Sequence, residues 1–218
     1  MTLKFIPRML FVAKLTLFSQ LAIAQSNDGW VFKNEKEAVK VYLRRTTDVH
    51  EIKLITSLKA PLSGLVQLLS EVEHYPDWGY KVVESRLIRR VSDHECYYYS
   101  RIDFPWPMND RDIVMHSYLT QDPNTRAITA TSEAAPDMIP EVKDVVRMRN
   151  AHTKRTLIPG AGGWVYMEYY IYSNPGGNIP DWLVNMAVDA GPRETIKNMR
   201  NLLQQPRYQN AKLAHIRD

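Results

Sequence analysis

The histidines and the single cysteine have the widest chemical reach in this chain, and their spacing limits it. His50, His74, His94, His116, His152 and His215 are scattered. His94 and Cys96 lie one residue apart, but no second ligand pair accompanies them, so a metal site is not expected. His152 with Asn150 or Tyr169 is the one pairing suited to proton transfer. No Gly-x-Ser-x-Gly elbow, phosphate-binding glycine loop or His-Glu-x-x-His helix is present. Gly160-Ala161-Gly162-Gly163 sits between strands and opens no helix. Asp110-Arg111-Asp112 is the densest charge cluster, either a polar clamp at a cavity mouth or, the favoured reading, a salt-bridge knot that fixes a loop. Catalysis and cofactors are therefore not expected.

Charge points the same way. The 218-residue chain has a formal net charge of +4. Lys4, Arg8 and Lys14 lie in residues 1–24 with no acid, followed by a short apolar run and Ala22-Ile23-Ala24. This pattern reads as a secretory signal peptide, too short to span a bilayer, which needs about 20 apolar residues. Cleavage after Ala24 leaves a nearly neutral protein without the basic footprint of a nucleic-acid binder. Export to the periplasm or beyond is expected. Cys96 excludes a disulfide framework because it has no partner, and it reads as a small buried hydrophobe.

The elements that must position any site read as strands first. Val39, Val41 and Leu43 alternate with polar residues, and Ile52, Leu54 and Leu58 share one phase. Pro61 opens a short helix over 62–72. Tyr75-Pro76-Asp77-Trp78-Gly79 reads as a turn with aromatic anchors. Strands are expected at 81–91, 95–103, 113–120, 127–133, 145–153 and 164–173, joined by turns too short for crossover helices, hence antiparallel. A breaker cluster at 175–180 opens a long helix, Asp181 to about Leu203, bent at Gly191-Pro192. The domain spans 25–205, and the polar tail 206–218 is expected to fray. The class is α+β: a curved antiparallel sheet needs a covering layer, and the last helix supplies it, with room for a cavity between.

Strand phase selects the inward side chains. Tyr98, Ser100, Met115, Ser117, Met167 and Tyr169 face inward with Cys96, Ile113 and Ile171. In 145–153 the set Met148, Asn150 and His152 is chosen over Arg147 and Arg149. Polar members of these faces need partners if buried, and a ligand or water in a hollow supplies them. A solid core of the same residues is the competing reading.

Two segments resemble a known family. Phe104-Pro105-Trp106-Pro107-Met108-Asn109-Asp110-Arg111-Asp112 resembles the Trp-Pro…Asn-x-Arg-Asp segment of START domains, the steroidogenic-acute-regulatory-related lipid-transfer modules. Gly176-Gly177-Asn178-Ile179-Pro180-Asp181-Trp182-Leu183-Val184-Asn185 is similar to the family's approach to its last helix. The resemblance covers roughly Glu35 to Leu203. It implies a helix-grip fold, a curved antiparallel sheet wrapped around a long C-terminal helix, holding one lipid or other hydrophobic molecule in an internal cavity. It implies an omega loop over Pro105–Asp110, with Trp106, Met108, Arg111 and Asp112 at the entrance, and Leu183, Met186 and Ala190 on the helical lid. Sterol-type members use a buried acid–arginine pair, and the corresponding positions here, Tyr98 and Ser117, are uncharged. With the leader, the resemblance implies an exported bacterial member in transient contact with a membrane. Two other functions stay open: a cavity enzyme (cyclase or hydrolase-like) on this scaffold, or a sensor or interaction module whose cavity is filled by side chains.

Overall fold

The computed structural model describes residues 28–45, 50–177 and 179–218. The leader read at 1–24 lies outside the described residues. The strands are β1 (Val31–Lys36), β2 (Val39–Arg45), β3 (His50–Lys59), β4 (Val82–Ser92), β5 (Glu95–Ile102), β6 (Arg111–Gln121), β7 (Ile128–Ala134), β8 (Val146–Arg147), β9 (Asn150–Pro159) and β10 (Trp164–Asn174). The helices are α1 (Leu62–Ser70), α2 (Asp181–Leu203) and α3 (Pro206–Gln209), with a 3₁₀ turn at Val72–Asp77.

One sheet runs in the order β1-β2-β3-β10-β9-β7-β6-β5-β4. Its pairings are antiparallel except for the short β8, which lies parallel to the start of β6. The last strand, β10, inserts between β3 and β9 and so closes the N-terminal hairpins onto the meander. Register shifts in β1–β2 and β4–β5 add local bends to the sheet's twist. β1 carried no sequence signal because its side chains are mostly exposed on both faces, leaving no alternation to read.

The curved sheet holds α2 on its inner face. Val39, Val41, Leu54, Leu58 and Met167 share one buried cluster with Val188, Ile196, Met199 and Leu203 of α2 and the apolar face of α1. Burial of each such side chain stabilises the fold by about 1.5–3 kcal/mol. Arg200 pins the C-terminal half of α2. Its guanidinium donates to Glu37 O at 2.7 Å and to Thr56 Oγ1 at 2.8 Å.

The tail does not fray. α3 packs on α1, with Tyr208, Ala211 and Ile216 buried. Gly64 makes this close approach possible, since a Cβ there would lie 2.3 Å from the Tyr208 carbonyl oxygen. Pro61 has no side-chain oxygen to cap α1, so the Asp218 carboxylate does, accepting from Ser63 N at 2.8 Å and Ser63 Oγ at 2.9 Å. Glu71 accepts from Arg207 and, at 2.9 Å, from Tyr208 Oη. Burial opposes its charge, but these donors hold its carboxyl below the usual range. Composition alone suggested solvation because the tail's apolar residues are few and spaced irregularly.

Candidate functional site

A cavity of about 280 Å³ lies between the inner face of the sheet and the middle of α2. Its apolar wall includes Ile52 and Leu54 of β3, Ile102 of β5, Ile113 and Met115 of β6, and Ile171 of β10. Gly191, Pro192 and Thr195 of α2 form the cover. Small residues belong there: a Cβ on Gly191 would come 3.1 Å from the Tyr80 ring. Thr195 Oγ1 accepts from Tyr80 N at 3.1 Å, which ties the helix to the segment before β4.

Five of the expected side chains meet at this cavity: Tyr98, Ser100, Met115, Met148 and Tyr169. Ser117 lies further along the same face of β6, accepts from Ser132 Oγ at 3.0 Å, and borders a separate void of about 30 Å³ under α1. Met167 is in the solid core below the cavity. Leu183 is buried and Ala190 half-buried, neither on the cavity wall, and the side chain of Met186 lies outside the described residues.

Asn150 and His152 are corrected. The inward phase of β9 is Ala151, Thr153, Arg155 and Leu157, so Asn150 is exposed and His152 points to the outer face. There its Nδ1 lies 3.8 Å from Glu133 Oε1. The cause is a change of partner. The chain runs parallel to β6 through β8, breaks at Met148-Arg149, and resumes between β7 and β10, so one phase does not span 145–153. His152 and Tyr169 therefore lie on opposite faces, and the proton-transfer pairing is not formed.

Asp112 is also corrected. It is not at an entrance but on the outer face, in a buried bidentate pair with Arg147: Nε to Oδ1 at 2.7 Å and Nη2 to Oδ2 at 3.1 Å, with side chains 0% and 1% exposed. Arg147 also donates to the carbonyls of Pro136, Ile139 and Pro140. The charge cluster is a structural knot, as the favoured reading had it, but with a distant partner that sequence spacing did not offer. Arg111 is buried and donates to Pro175 O at 3.1 Å and Gly176 O at 3.3 Å, with its guanidinium over the Phe104 ring. It ties the 104–110 loop to the run-up to α2. Trp106 on that loop is 91% exposed, and Met108 is half-buried.

Arg155 was missed, and the aromatic turn at Tyr75–Gly79 was read as a turn but not as part of the cavity wall. Tyr75 and Trp78 are buried and line the cavity, with Tyr75 packed edge-on to Trp78 at 4.8 Å and to Tyr98 at 5.2 Å. Tyr75 Oη donates to Leu69 O at 2.7 Å. Arg155 is paired in register with Tyr169, and its guanidinium lies 3.9 Å from that ring's centroid. Burial pushes the Tyr98 phenol up to about 12 and the Tyr75 phenol well above its usual value. Burial pulls the Arg155 guanidinium down, but the phenols of Tyr169, Tyr75 and Tyr98 hold it above its usual value. An odd-numbered phase anchored on Leu157 would have found Arg155.

Among the described residues, no group of three or more histidine, cysteine or acidic side chains could hold a metal ion. No helix among them is long and apolar enough to cross a membrane.

A curved antiparallel sheet gripping its C-terminal helix, with a hollow between them, is a helix-grip fold. Residues 12–209 match the START domain family, and the chain belongs to it. A solved structure titled as a STAR-related lipid transfer protein from Xanthomonas axonopodis is 34% identical. It superposes with a TM-score of 0.74 and matches 82% of this chain and 100% of that one. An uncharacterised protein of Pseudomonas aeruginosa is 28% identical over 176 residues, 80% of this chain and 86% of its own. The phosphatidylcholine transfer protein of Bos taurus is 28% identical over 193 residues, 81% of this chain and 84% of its own.

Proposed function

We propose that this protein binds a lipid or other hydrophobic small molecule in the cavity beneath α2 and carries it between membranes. The observation that carries this reading is the apolar wall from β3, β5, β6 and β10 facing a helix that supplies only small residues at the cavity. The names of the relatives from Xanthomonas axonopodis and Bos taurus support it. Shielding drives uptake: about 400 Å² of apolar ligand surface removed from water gives roughly 10 kcal/mol gross, before ordering costs.

Ligand pockets commonly hold about 300–1,000 Å³. A cavity of about 280 Å³ therefore fits a small guest as it stands and must widen for a two-chain lipid. The N-terminal half of α2 and the 105–110 loop are the gate in this reading. Arg200 anchors the other half of the helix, while Gly191-Pro192 interrupts its backbone ladder between the two. Trp106, and Trp182 at 54% exposed, are the membrane-touching side chains. We assign the protein no reaction and no nucleic-acid partner.

Replacement of Met115 by Arg or of Met148 by Glu should abolish lipid extraction from vesicles, whereas Arg89→Ala, on the exposed side of β4, should leave it intact. Equal extraction by all three variants would refute the cavity. We also propose export with residues 1–24 as the leader. N-terminal sequencing of protein from the producing cell should begin at Gln25, and a retained Met1 would overturn this.

A further inference from the structure

Arg155 has an unusual setting for a cation. It is buried on the inner face of β9, at the wall shared by the main cavity and the small void under α1. Among the described residues it forms no ion pair with a carboxylate, and its facing groups are the phenols of Tyr169, Tyr75 and Tyr98. The other buried arginines solve the same problem differently. Arg147 meets Asp112, and Arg111 spends its donors on backbone carbonyls. A buried charge is costly unless an anion or several acceptors compensate it, and one cation–π contact returns only a small part of that cost. Trp78, also on the cavity wall, adds a second donor: its indole N–H is buried with no partner among the described residues. Several strands away on the sheet, the cavity wall carries Ile102, Ile113 and Met148, and Ser100 beside Ile113 has its hydroxyl paired with that of Ser85.

We propose that the guest is an amphiphile whose anionic oxygen group, a phosphoryl or a carboxylate, is held at Arg155, with its chain lying along the apolar wall toward α2. This rests on the carrier reading and deepens it by naming the ligand's charge. An anion against the guanidinium is short, charge-assisted and shielded from water, so it selects strongly against neutral lipids of the same chain length. Burial keeps the Tyr98 phenol protonated near neutral pH, and the hydroxyls of Tyr98 and Tyr169 are the donors to the same group.

The test offers purified protein separate vesicles doped with phosphatidylcholine, oleic acid or diacylglycerol, and reads bound lipid by native mass spectrometry. Wild type should take phosphatidylcholine or oleic acid at least about tenfold over diacylglycerol, and whichever dominates identifies the anion's source. Arg155→Met should lose that preference while still extracting diacylglycerol, and Arg155→Lys should retain part of it. Preserved thermal stability of Arg155→Met, with its shape-matched apolar side chain, separates loss of recognition from loss of folding. If Arg155→Met unfolds, the comparison of Arg155→Lys with wild type decides instead: a preference weaker than that of wild type supports the site, and an unchanged preference, or none in either, overturns it. Wild-type extraction of all three lipids alike overturns the Arg155 assignment and leaves the carrier standing. Extraction of none overturns both. Binding of inorganic phosphate with no added affinity from a chain overturns the amphiphile.

Discussion

Asp112 and Arg147 show what a single buried pair can fix. Arg147 gathers a carboxylate and three carbonyls and so clamps the 136–140 segment over the outer face of β5 and β6. Tyr99 and Val114 point outward and are still buried: the 136–138 turn packs on β6, and the Arg86 guanidinium lies 4.8 Å over the Tyr99 ring. Asp112→Ala leaves the guanidinium unpaired, with an expected cost of about 3–5 kcal/mol. Replacing both partners by apolar residues of similar size should recover much of the loss. Urea unfolding of the two variants checks this, and equal destabilisation by both would deny the pair its role.

At the scale of elements, the C-terminal segment behaves as part of the core. Gly64 lets α1 and α3 touch, and Asp218 caps α1 from 155 positions away. Gly64→Ala would ordinarily favour a helix by about 1 kcal/mol. Here the methyl meets backbone, which cannot rotate away, so the variant should be destabilised and its 206–218 segment undocked. Amide hydrogen exchange over that segment should rise, and unchanged protection would show that the contact yields easily. α2 raises the opposite question. Pro192 lacks the donor that would close the ladder one turn back. Pro192→Ala should stiffen the helix and slow lipid exchange in a transfer assay, with little change in the amount bound at equilibrium. Faster exchange would place the gate elsewhere.

The whole molecule divides its inner face in two. Toward Arg200 the sheet and α2 meet in a solid core with Leu58, Met167, Ile196 and Met199. Toward Gly191 they part, and the cavity opens. Solid core and hollow were both legible as readings of one apolar face, and the fold contains each in its own half. Strand identity, the long last helix and the family were legible because alternation, breaker clusters and the two segments around Arg111 and Trp182 are local signals. The inward faces of β5, β6 and β10 followed from continuous strands with one apolar phase. β9 did not, because its phase is set by where the chain leaves β6 and joins β10, a choice of partners distant in sequence. Arg155, two residues past the strand end expected at 153, became an interior cation for that reason. Local pattern thus determined the elements and their wrapping. Which polar groups face the hollow, and which salt bridges lock it, was decided by the register between distant strands, because a shift of one residue exchanges the two faces of a strand.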